Sequence, residues 1–180
     1  DVRVYHGTTP VADIAVRHNP RDLVFNPATG YAYAVNRDSD SVSVINGTNV
    51  IANIKVQATP LSAAVDSVHN LIYVTNWASD TVSVLNGTTV LGNVDMCVPH
   101  PSCTANPRRS AINPDTSYDY VVNTYGESVY ILNGTAIIDV LSTGAGSHPR
   151  FVIYNPMTHY MYVSDQGTNS VKVISGTSFA

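Results

Sequence analysis

Short stretches in which apolar and polar residues alternate run along the chain, separated by turn-forming Gly, Pro, Asn, Asp and Ser. Val42-Ser43-Val44 and Val171-Lys172-Val173 show this alternation most clearly. A period of two residues predicts β-strands that present one face to each side of a sheet. No segment combines helical spacing of apolar residues with capping residues. The pattern therefore predicts an all-β protein of short strands.

The strands recur in a repeat that three independent markers define. These are four tetrapeptides, four turn pairs and four prolines: Tyr33–Asn36, Tyr73–Asn76, Tyr120–Asn123 and Tyr162–Asp165; Asn46-Gly47, Asn86-Gly87, Asn133-Gly134 and Ser175-Gly176; and Pro20, Pro60, Pro107 and Pro149. All three series advance by 40, 47 and 42 residues. Repeats of about 40–45 residues with four antiparallel strands are typical of β-propeller blades.

Each unit divides into four strands, a to d. In the second unit we expect them at residues 62–66, 71–76, 81–85 and 90–94. The Asn-Gly pairs between strands c and d predict two-residue hairpins with type I′ turns. We expect one domain over residues 1–180, made of a partial blade with strands c and d, three whole blades, and a partial blade with strands a to c: 1–17, 18–57, 58–98, 99–147 and 148–180.

The repeat count leaves three ways to complete the propeller. The N-terminal strands c and d could join the C-terminal strands a and b and close a ring of four blades. Alternatively, the chain is an arc of a larger propeller. In the third arrangement the chain stays open, and its unpaired strand completes a blade of a neighbouring copy, since exposed strand edges promote such pairing.

Composition excludes several classes of protein. The chain is 44% hydrophobic and only 12% charged, and its net charge is −4. A low charge content with many β-branched residues argues against disorder. The negative net charge and the lack of a basic tract argue against nucleic acid as a partner. No apolar run approaches the roughly 18 residues that a membrane-spanning helix needs.

The run from residue 71 to residue 88, LIYVTNWASDTVSVLNGT, resembles the YVTN-type β-propeller repeat, as do residues 30–48, 118–135 and 160–177. The resemblance implies a propeller of several blades, common in archaeal surface-layer proteins and other secreted or cell-surface proteins. It implies no catalytic residues. We also expect no cofactor and no metal site, because the histidines lie at unequal offsets from the prolines of the repeat and no carboxylate stands at a matching position. One departure is the Asn that precedes Gly at positions 46, 86 and 133, where the family more often has Asp.

From the resemblance we expect an extracellular, non-enzymatic protein that serves as a structural or interaction module. We expect it to be a subunit of a surface layer or filament and to associate with itself by strand complementation. In that setting we expect a disulfide between Cys97 and Cys103, the alternative being two buried thiols. Three Asn-Gly-Thr sequons, at Asn46, Asn86 and Asn133, are candidate N-glycosylation sites. In the alternative, the sequons are not glycosylated, because the Asn-Gly turn that the c–d hairpin needs already explains why all three recur at equivalent positions of the repeat.

The d–a and b–c connections of a propeller share one face, around the mouth of the central channel. Residues with binding chemistry recur there, and we predict a ligand-binding mouth from Arg21, Arg37, Trp77, Arg108 and Arg150. Guanidinium groups bind carboxylate, sulfate or acidic sugars through bidentate hydrogen bonds. In the alternative, these arginines pair between blades with acidic residues: Asp22, Asp38, Asp40, Asp80 and Glu127.

Two other functions compete with the structural module. One is a lyase-like or dehydrogenase-like propeller enzyme that acts through Arg21, His100 and His148 at the mouth. The other is a carbohydrate-binding propeller that uses Trp77, the single tryptophan. The sequence contains no G-x-S-x-G, H-E-x-x-H, glycine-rich phosphate loop or C-x-x-C-H motif.

Overall fold

The computed structural model of the chain describes residues 1–98 and 104–180. The described residues form strands joined by short turns, with one 3₁₀ turn at Arg37–Ser39. The strands are β1 (Val2–His6), β2 (Thr9–Ile14), β3 (Pro20–Asn26), β4 (Tyr31–Asn36), β5 (Ser41–Asn46), β6 (Asn49–Lys55), β7 (Pro60–Asp66), β8 (Leu71–Asn76), β9 (Thr81–Asn86), β10 (Thr89–Asp95), β11 (Pro107–Asn113), β12 (Tyr118–Asn123), β13 (Ser128–Asn133), β14 (Ala136–Ser142), β15 (Pro149–Asn155), β16 (Tyr160–Asp165), β17 (Ser170–Ser175) and β18 (Ser178–Phe179).

These strands form five antiparallel sheets. β1 and β2 make a two-stranded sheet, which we call the half-blade. The other sheets have four strands each in chain order: blade I is β3–β6, blade II is β7–β10, blade III is β11–β14 and blade IV is β15–β18. The first strands of successive blades pack in series, β3 on β7, β7 on β11 and β11 on β15. This arrangement confirms the predicted all-β propeller of four-stranded antiparallel blades.

The chain is an open arc. The half-blade and blade IV, at its two ends, are separate sheets, so strands β1–β2 do not join β15–β16 as a four-bladed ring would require. The expectation that strand c ends the chain differs from the structure in one detail, because a two-residue strand, β18, pairs with β17. No helix within residues 1–98 and 104–180 is long and apolar enough to cross a membrane.

The core lies between the blades. Alternate side chains of one strand face opposite neighbours, so each blade has one face toward the preceding blade and one toward the next. Tyr33 and Val35 of blade I, for example, pack against Ile72 and Val74 of blade II, and all four are fully buried. Burying a large apolar side chain contributes about 1.5–3 kcal/mol. Stability therefore depends on neighbouring blades rather than on any one sheet.

The c–d hairpins differ from the predicted type I′ turns. Asn46 pairs with Asn49, which leaves Gly47 and Thr48 as the two central residues. Gly47 has a φ of 59°, whereas Asn46 and Thr48 do not have positive φ. A type II′ turn requires a positive φ at its first central residue only, and Gly is favoured at that position. The Asn-Gly pair therefore spans the strand end and the first turn residue.

Asp119 is a buried carboxyl group between blades II and III. It occupies the position that Ile72 and Met161 fill in blades II and IV, and its side chain is fully buried. Among the described residues, neither carboxyl oxygen has a hydrogen-bond partner of good geometry, although the nearby Ser110 side chain partly offsets the effect of burial on its pKa. Burial raises the pKa of Asp119 to about 8, and the nearby carboxyl of Asp66 raises it as well. The protonated form is therefore the one that the fold accommodates.

We expect Asp119 to make stability depend on pH. The unfolded carboxyl loses its proton near its ordinary pKa of 3.8, and the folded one near a pKa of about 8. Only the folded state holds this proton in between, so the free energy of unfolding falls as the pH rises through this window. The slope can reach about 1.4 kcal/mol per pH unit. Urea unfolding at a series of pH values measures it.

The Asp119→Asn variant should flatten this profile, because the amide has no proton to lose. Asp139→Asn in the same blade is the matched control and should keep the wild-type slope. Parallel profiles for Asp119→Asn and the wild type would show that Asp119 is ionised in the folded protein.

Candidate functional site

The b–c turns and d–a connections meet at one end of each blade. In blade I, Pro20 at the start of β3 pairs with Asn36 at the end of β4, so the segments beyond these residues are neighbours. Arg37 N–H donates to the carbonyl of Asn19 at 2.9 Å and joins the two segments. The other blades repeat this pairing. The turns of successive blades therefore form one continuous surface, which we call the mouth surface.

A β-bulge at the start of every inner strand supplies the side chains of this surface. In blade I the pairing passes from Pro20–Asn36 directly to Asp22–Val35, so Arg21 has no partner in the ladder. The same shift follows Pro60, Pro107 and Pro149. The bulged residues are Arg21, Leu61, Arg108 and Arg150. A bulge redirects a side chain, and in three of four blades that side chain is arginine.

A cleft of about 380 Å³ lies on the mouth surface. It brings together four of the five predicted mouth residues, Arg21, Arg37, Trp77 and Arg108, with Thr59, Leu61, Arg109 and Phe151. Arg150, the fifth, does not line the cleft, and its Nε donates to Oε1 of Gln166 at 2.7 Å. Whether these residues bind a ligand stays a prediction.

Arg109 and Phe151 are cleft residues that the sequence-based set of mouth residues does not contain. Both are the third residue of an inner strand, directly after the bulge. Arg109 of blade III reaches past blade II to Asp22 of blade I, with 3.1 Å between Nη1 and Oδ2. Its guanidinium also lies over the ring of Phe151, 5.1 Å from the centroid. Both residues could have been identified from the sequence, because each directly follows the residue at the bulged position of the repeat.

The cleft has more positive than negative charge. Arg109 pairs with Asp22, and Arg37 pairs with Asp38 at 3.3 Å. Arg21 and Arg108 form no ion pair with any residue of the described chain. Burial lowers the pKa of Arg108, and the guanidinium groups of Arg150, Arg109 and Arg21 lower it further. Such mutual repulsion is relieved when an anion binds.

A row of aromatic rings starts at Trp77 in the cleft and extends away from it along the mouth surface. The guanidinium of Arg108 lies 5.8 Å from the ring centroid of Trp77. Tyr125 meets Trp77 edge to face at 5.9 Å, and the ring of His148 meets Tyr125 at 5.6 Å. The row runs from blade II to blade IV and provides a partly exposed ring face beside guanidinium groups. This combination suits ligands that carry both a flat or apolar face and a negative charge.

The acidic residues of the b–c turns mostly do not neutralise the arginines. Asp40, Asp80 and Glu127 all have positive φ and accept a backbone N–H from the next d–a connection. The donors are Thr59 at 2.9 Å, Asn106 at 2.7 Å and Gly146 at 2.7 Å. Of the predicted pairs between blades, the described residues form the one between Asp22 and Arg109, whereas Asp38 pairs with its neighbour Arg37 within a single turn. The other three carboxylates join adjacent blades through backbone N–H groups.

Other predicted sites lie apart from the cleft. Asn46, Asn86 and Asn133 are exposed at the c–d turns, at the outer strands. Cys103 and His100 lie outside the described residues, so the disulfide with Cys97 and the role of His100 stay predictions. Within residues 1–98 and 104–180, no group of three or more His, Cys, Asp or Glu side chains could hold a metal ion.

Comparisons with known proteins agree on the fold. No protein-family model matches the sequence, and no curated protein matches it either. Among solved structures, the chain is similar to Kuenenia stuttgartiensis hydrazine synthase, with a TM-score of 0.74, 18% identity, and coverage of 96% of this chain and 49% of that one. It is also similar to virginiamycin B lyase from Staphylococcus aureus, with a TM-score of 0.76, 12% identity, and coverage of 89% and 54%.

The WD40 β-propeller domain of Doa1 is a third similar structure, with a TM-score of 0.71, 14% identity, and coverage of 94% of this chain and 54% of that one. The chain thus spans about half the length of these solved structures. At such identities the likeness establishes the β-propeller fold and nothing finer.

The Asp80 contact should stabilise the turn that carries Trp77. Asp80 accepts the N–H of Asn106, and the Asn106 side chain donates to the carbonyl of Trp77 at 3.0 Å. Asp80→Asn keeps a residue that tolerates positive φ but removes the charge. We expect a loss of about 1–2 kcal/mol in the free energy of unfolding, measured by urea denaturation, and a shift in Trp77 emission in the native state.

Asp38→Asn, in the equivalent turn of blade I, is the control, because Asp38 is half exposed and joins no second blade. Equal losses in both variants would contradict the stabilising role of Asp80.

Proposed function

We propose that the chain is a non-enzymatic interaction module of a secreted or cell-surface propeller protein, and that it binds anionic ligands at the mouth cleft. The observation that carries the binding role is the convergence of Arg21 and Arg108, which have no carboxylate partner among the described residues, on one cleft. The likeness of the repeats to the YVTN type supports a surface location.

The chemistry of the cleft favours an acidic sugar or another carboxylate or sulfate ester. A guanidinium can donate two parallel hydrogen bonds to either anion. Trp77 provides an adjacent ring that can stack on the apolar face of a sugar. Since Trp77 is the single tryptophan of the chain, its fluorescence reports directly on this cleft.

Titration with a sulfated or uronic-acid oligosaccharide should change the fluorescence of Trp77, and a neutral oligosaccharide of the same length should bind far more weakly. Arg108→Gln should weaken anion binding at least about tenfold, since a hydrogen bond to a charged group contributes about 1.5–3 kcal/mol. Arg17→Gln removes an exposed positive charge outside the cleft and should leave binding unchanged. The absence of any response to these anions at millimolar concentration would refute the proposed function.

Asp22 should compete with the ligand for Arg109. The Asp22→Asn variant removes the carboxylate that pairs with Arg109 but keeps an oxygen that can accept the N–H of Ala63. We expect anion affinity to rise by up to about fivefold, which corresponds to the roughly 1 kcal/mol upper range for one partly exposed ion pair. Asp139→Asn removes a carboxylate from the outer strand β14, outside the cleft, and serves as the control.

A propeller enzyme is the second candidate. The fold likeness to virginiamycin B lyase and to the dihydro-heme d1 dehydrogenase NirN supports it, as does the place of His148 in the aromatic row beside the cleft. The same titration separates the two functions. A bound oligosaccharide recovered intact supports a binding module, whereas its conversion in the wild type and not in His148→Gln supports an enzyme.

A further inference from the structure

Arg150 is a guanidinium on the mouth surface that lies outside the cleft and has no acidic partner. It is the bulged residue of β15, as Arg108 is of β11, and these two inner strands pack against each other. Within residues 1–98 and 104–180, neither Arg108 nor Arg150 forms an ion pair. The mouth surface therefore carries a further unpaired cation one blade beyond Arg108.

The two guanidinium groups are anchored to different turns. That of Arg108 lies 5.8 Å from the ring centroid of Trp77, in the b–c turn of blade II. Arg150 donates from Nε to Oε1 of Gln166 at 2.7 Å, in the b–c turn of blade IV, and this bond leaves both of its Nη groups available. Trp77 and Gln166 are equivalent, since each directly follows strand b. The b–c turn of blade III lies between them.

An exposed aromatic surface connects the two guanidinium groups. Tyr125, in the b–c turn of blade III, is 55% exposed. Its ring meets Trp77 on one side at 5.9 Å and His148 on the other at 5.6 Å. His148 belongs to the d–a connection that leads into Arg150. A sugar ring stacked on Tyr125 would thus have one neighbouring unit beside Arg108 and the other beside Arg150.

The turn that carries Tyr125 is held in place from both sides. Gly126 donates its N–H to the carbonyl of Ala105 at 3.2 Å, and a Cβ added at Gly126 would lie only 3.2 Å from Cα of Ala105. On the other side, the hydroxyl of Thr124 donates to the carbonyl of Pro149 at 2.9 Å, which joins the turn to the start of β15. A ring held in this way is ordered before a ligand binds, which lowers the entropic cost of binding.

The acidic side chains of the neighbouring turns are engaged elsewhere. Glu127 accepts the N–H of Gly146 at 2.7 Å. Asp165 is buried and accepts the hydroxyl of Ser147 at 2.6 Å. Both carboxylates thereby fix d–a connections and leave the guanidinium of Arg150 without a counter-charge among the described residues.

The number of unpaired cations sets the charge of a matching ligand. Three bulged arginines, Arg21, Arg108 and Arg150, lie without an ion pair at equivalent positions of blades I, III and IV. Their charges repel one another, and Arg150 lowers the pKa of Arg108 more than Arg109 or Arg21 does. A ligand with one negative charge relieves only part of this repulsion, whereas one with several charges relieves more of it.

We propose that Arg150, Gln166 and the exposed ring of Tyr125 form a second anion subsite, and that the mouth surface binds a chain of sugar units with an anionic group on more than one unit. This inference rests on the proposed function, because the cleft with Arg108 and Trp77 is the first subsite. Uronic-acid chains and sulfated chains share the required chemistry.

A series of uronic-acid oligomers from one to six units, titrated by calorimetry, tests the second subsite. We expect the affinity to rise in one step of at least about tenfold at the length that first reaches both subsites, because the second contact then forms within one complex. Neutral oligomers of the same lengths should show no such step. A parallel series of sulfated oligomers shows which of the two anions the subsites prefer.

Two variants remove the second subsite by different means. Arg150→Gln removes its charge, and Gln166→Glu gives Arg150 a carboxylate partner within the chain. Both should abolish the step and leave the affinity for a single unit within about twofold of the wild type, since neither residue lines the cleft. Arg17→Gln and Asn49→Asp make the same charge changes at exposed residues outside the cleft and should keep the step. Circular dichroism checks that all four variants retain the β-sheet fold.

The outcomes separate this inference from the proposed function. Oligomers that bind without a step would overturn the second subsite and leave anion binding at the cleft intact. The same holds if Arg150→Gln weakens the single unit and the longest oligomer by one factor, since Arg150 would then belong to the first subsite. If no member of either series binds, both the second subsite and the proposed function are overturned.

Discussion

Burial of sheet faces against the neighbouring blades is the constraint on which this structure depends. A strand in the middle of a blade has neighbours on both sides within its sheet, and its side chains meet two further blades, so it tolerates few polar residues. Tyr33, Tyr73 and Tyr120 are fully buried in successive blades under this constraint. No blade can satisfy it alone. The stability of each blade is therefore a property of its contacts with the next, as in other repeat architectures.

The same constraint decides where chemistry can reside. Strand interiors are committed to packing, so charged groups concentrate in the turns and at the bulged first residues of inner strands. A chain with only 12% charged residues and a net charge of −4 thereby places four arginines around one cleft. The β-bulge makes this possible, because it leaves one residue at the start of each inner strand unpaired in the sheet, so that its side chain can point to the mouth surface. Arginine at this position in three blades gives the mouth surface its charge.

The repeat made the fold predictable, because its three markers keep one phase and each has a structural cause. The predicted type of the c–d hairpin turns was wrong. The Asn-Gly pair identifies where a turn lies, but it does not show which two residues are its central ones. The pairing of Asn46 with Asn49 makes Gly47 and Thr48 the central residues. Asp119 was visible as a polar residue at a position that is otherwise apolar, yet its burial depends on the blade packed against it.

The composition of the cleft was only partly predictable for a similar reason. Arg21, Arg37, Trp77 and Arg108 follow from the repeat, because turns at the same phase share one face. Arg109 and its partner Asp22 are 87 residues apart, and their contact depends on the curvature of three successive blades. No local pattern carries that information.

The Arg109–Asp22 contact also determines which arginines can bind a ligand without breaking an existing ion pair. An anion that engaged Arg109 would have to displace Asp22, which additionally accepts the N–H of Ala63 and so helps to join blades I and II. Arg21 and Arg108 require no such displacement, and the repulsion that lowers the pKa of Arg108 would be relieved by the ligand. Binding energy should therefore come mainly from Arg21 and Arg108, with Trp77 selecting ligands by shape. Arg109, held between Asp22 and the ring of Phe151, serves primarily to fix the relative positions of the blades that form the cleft.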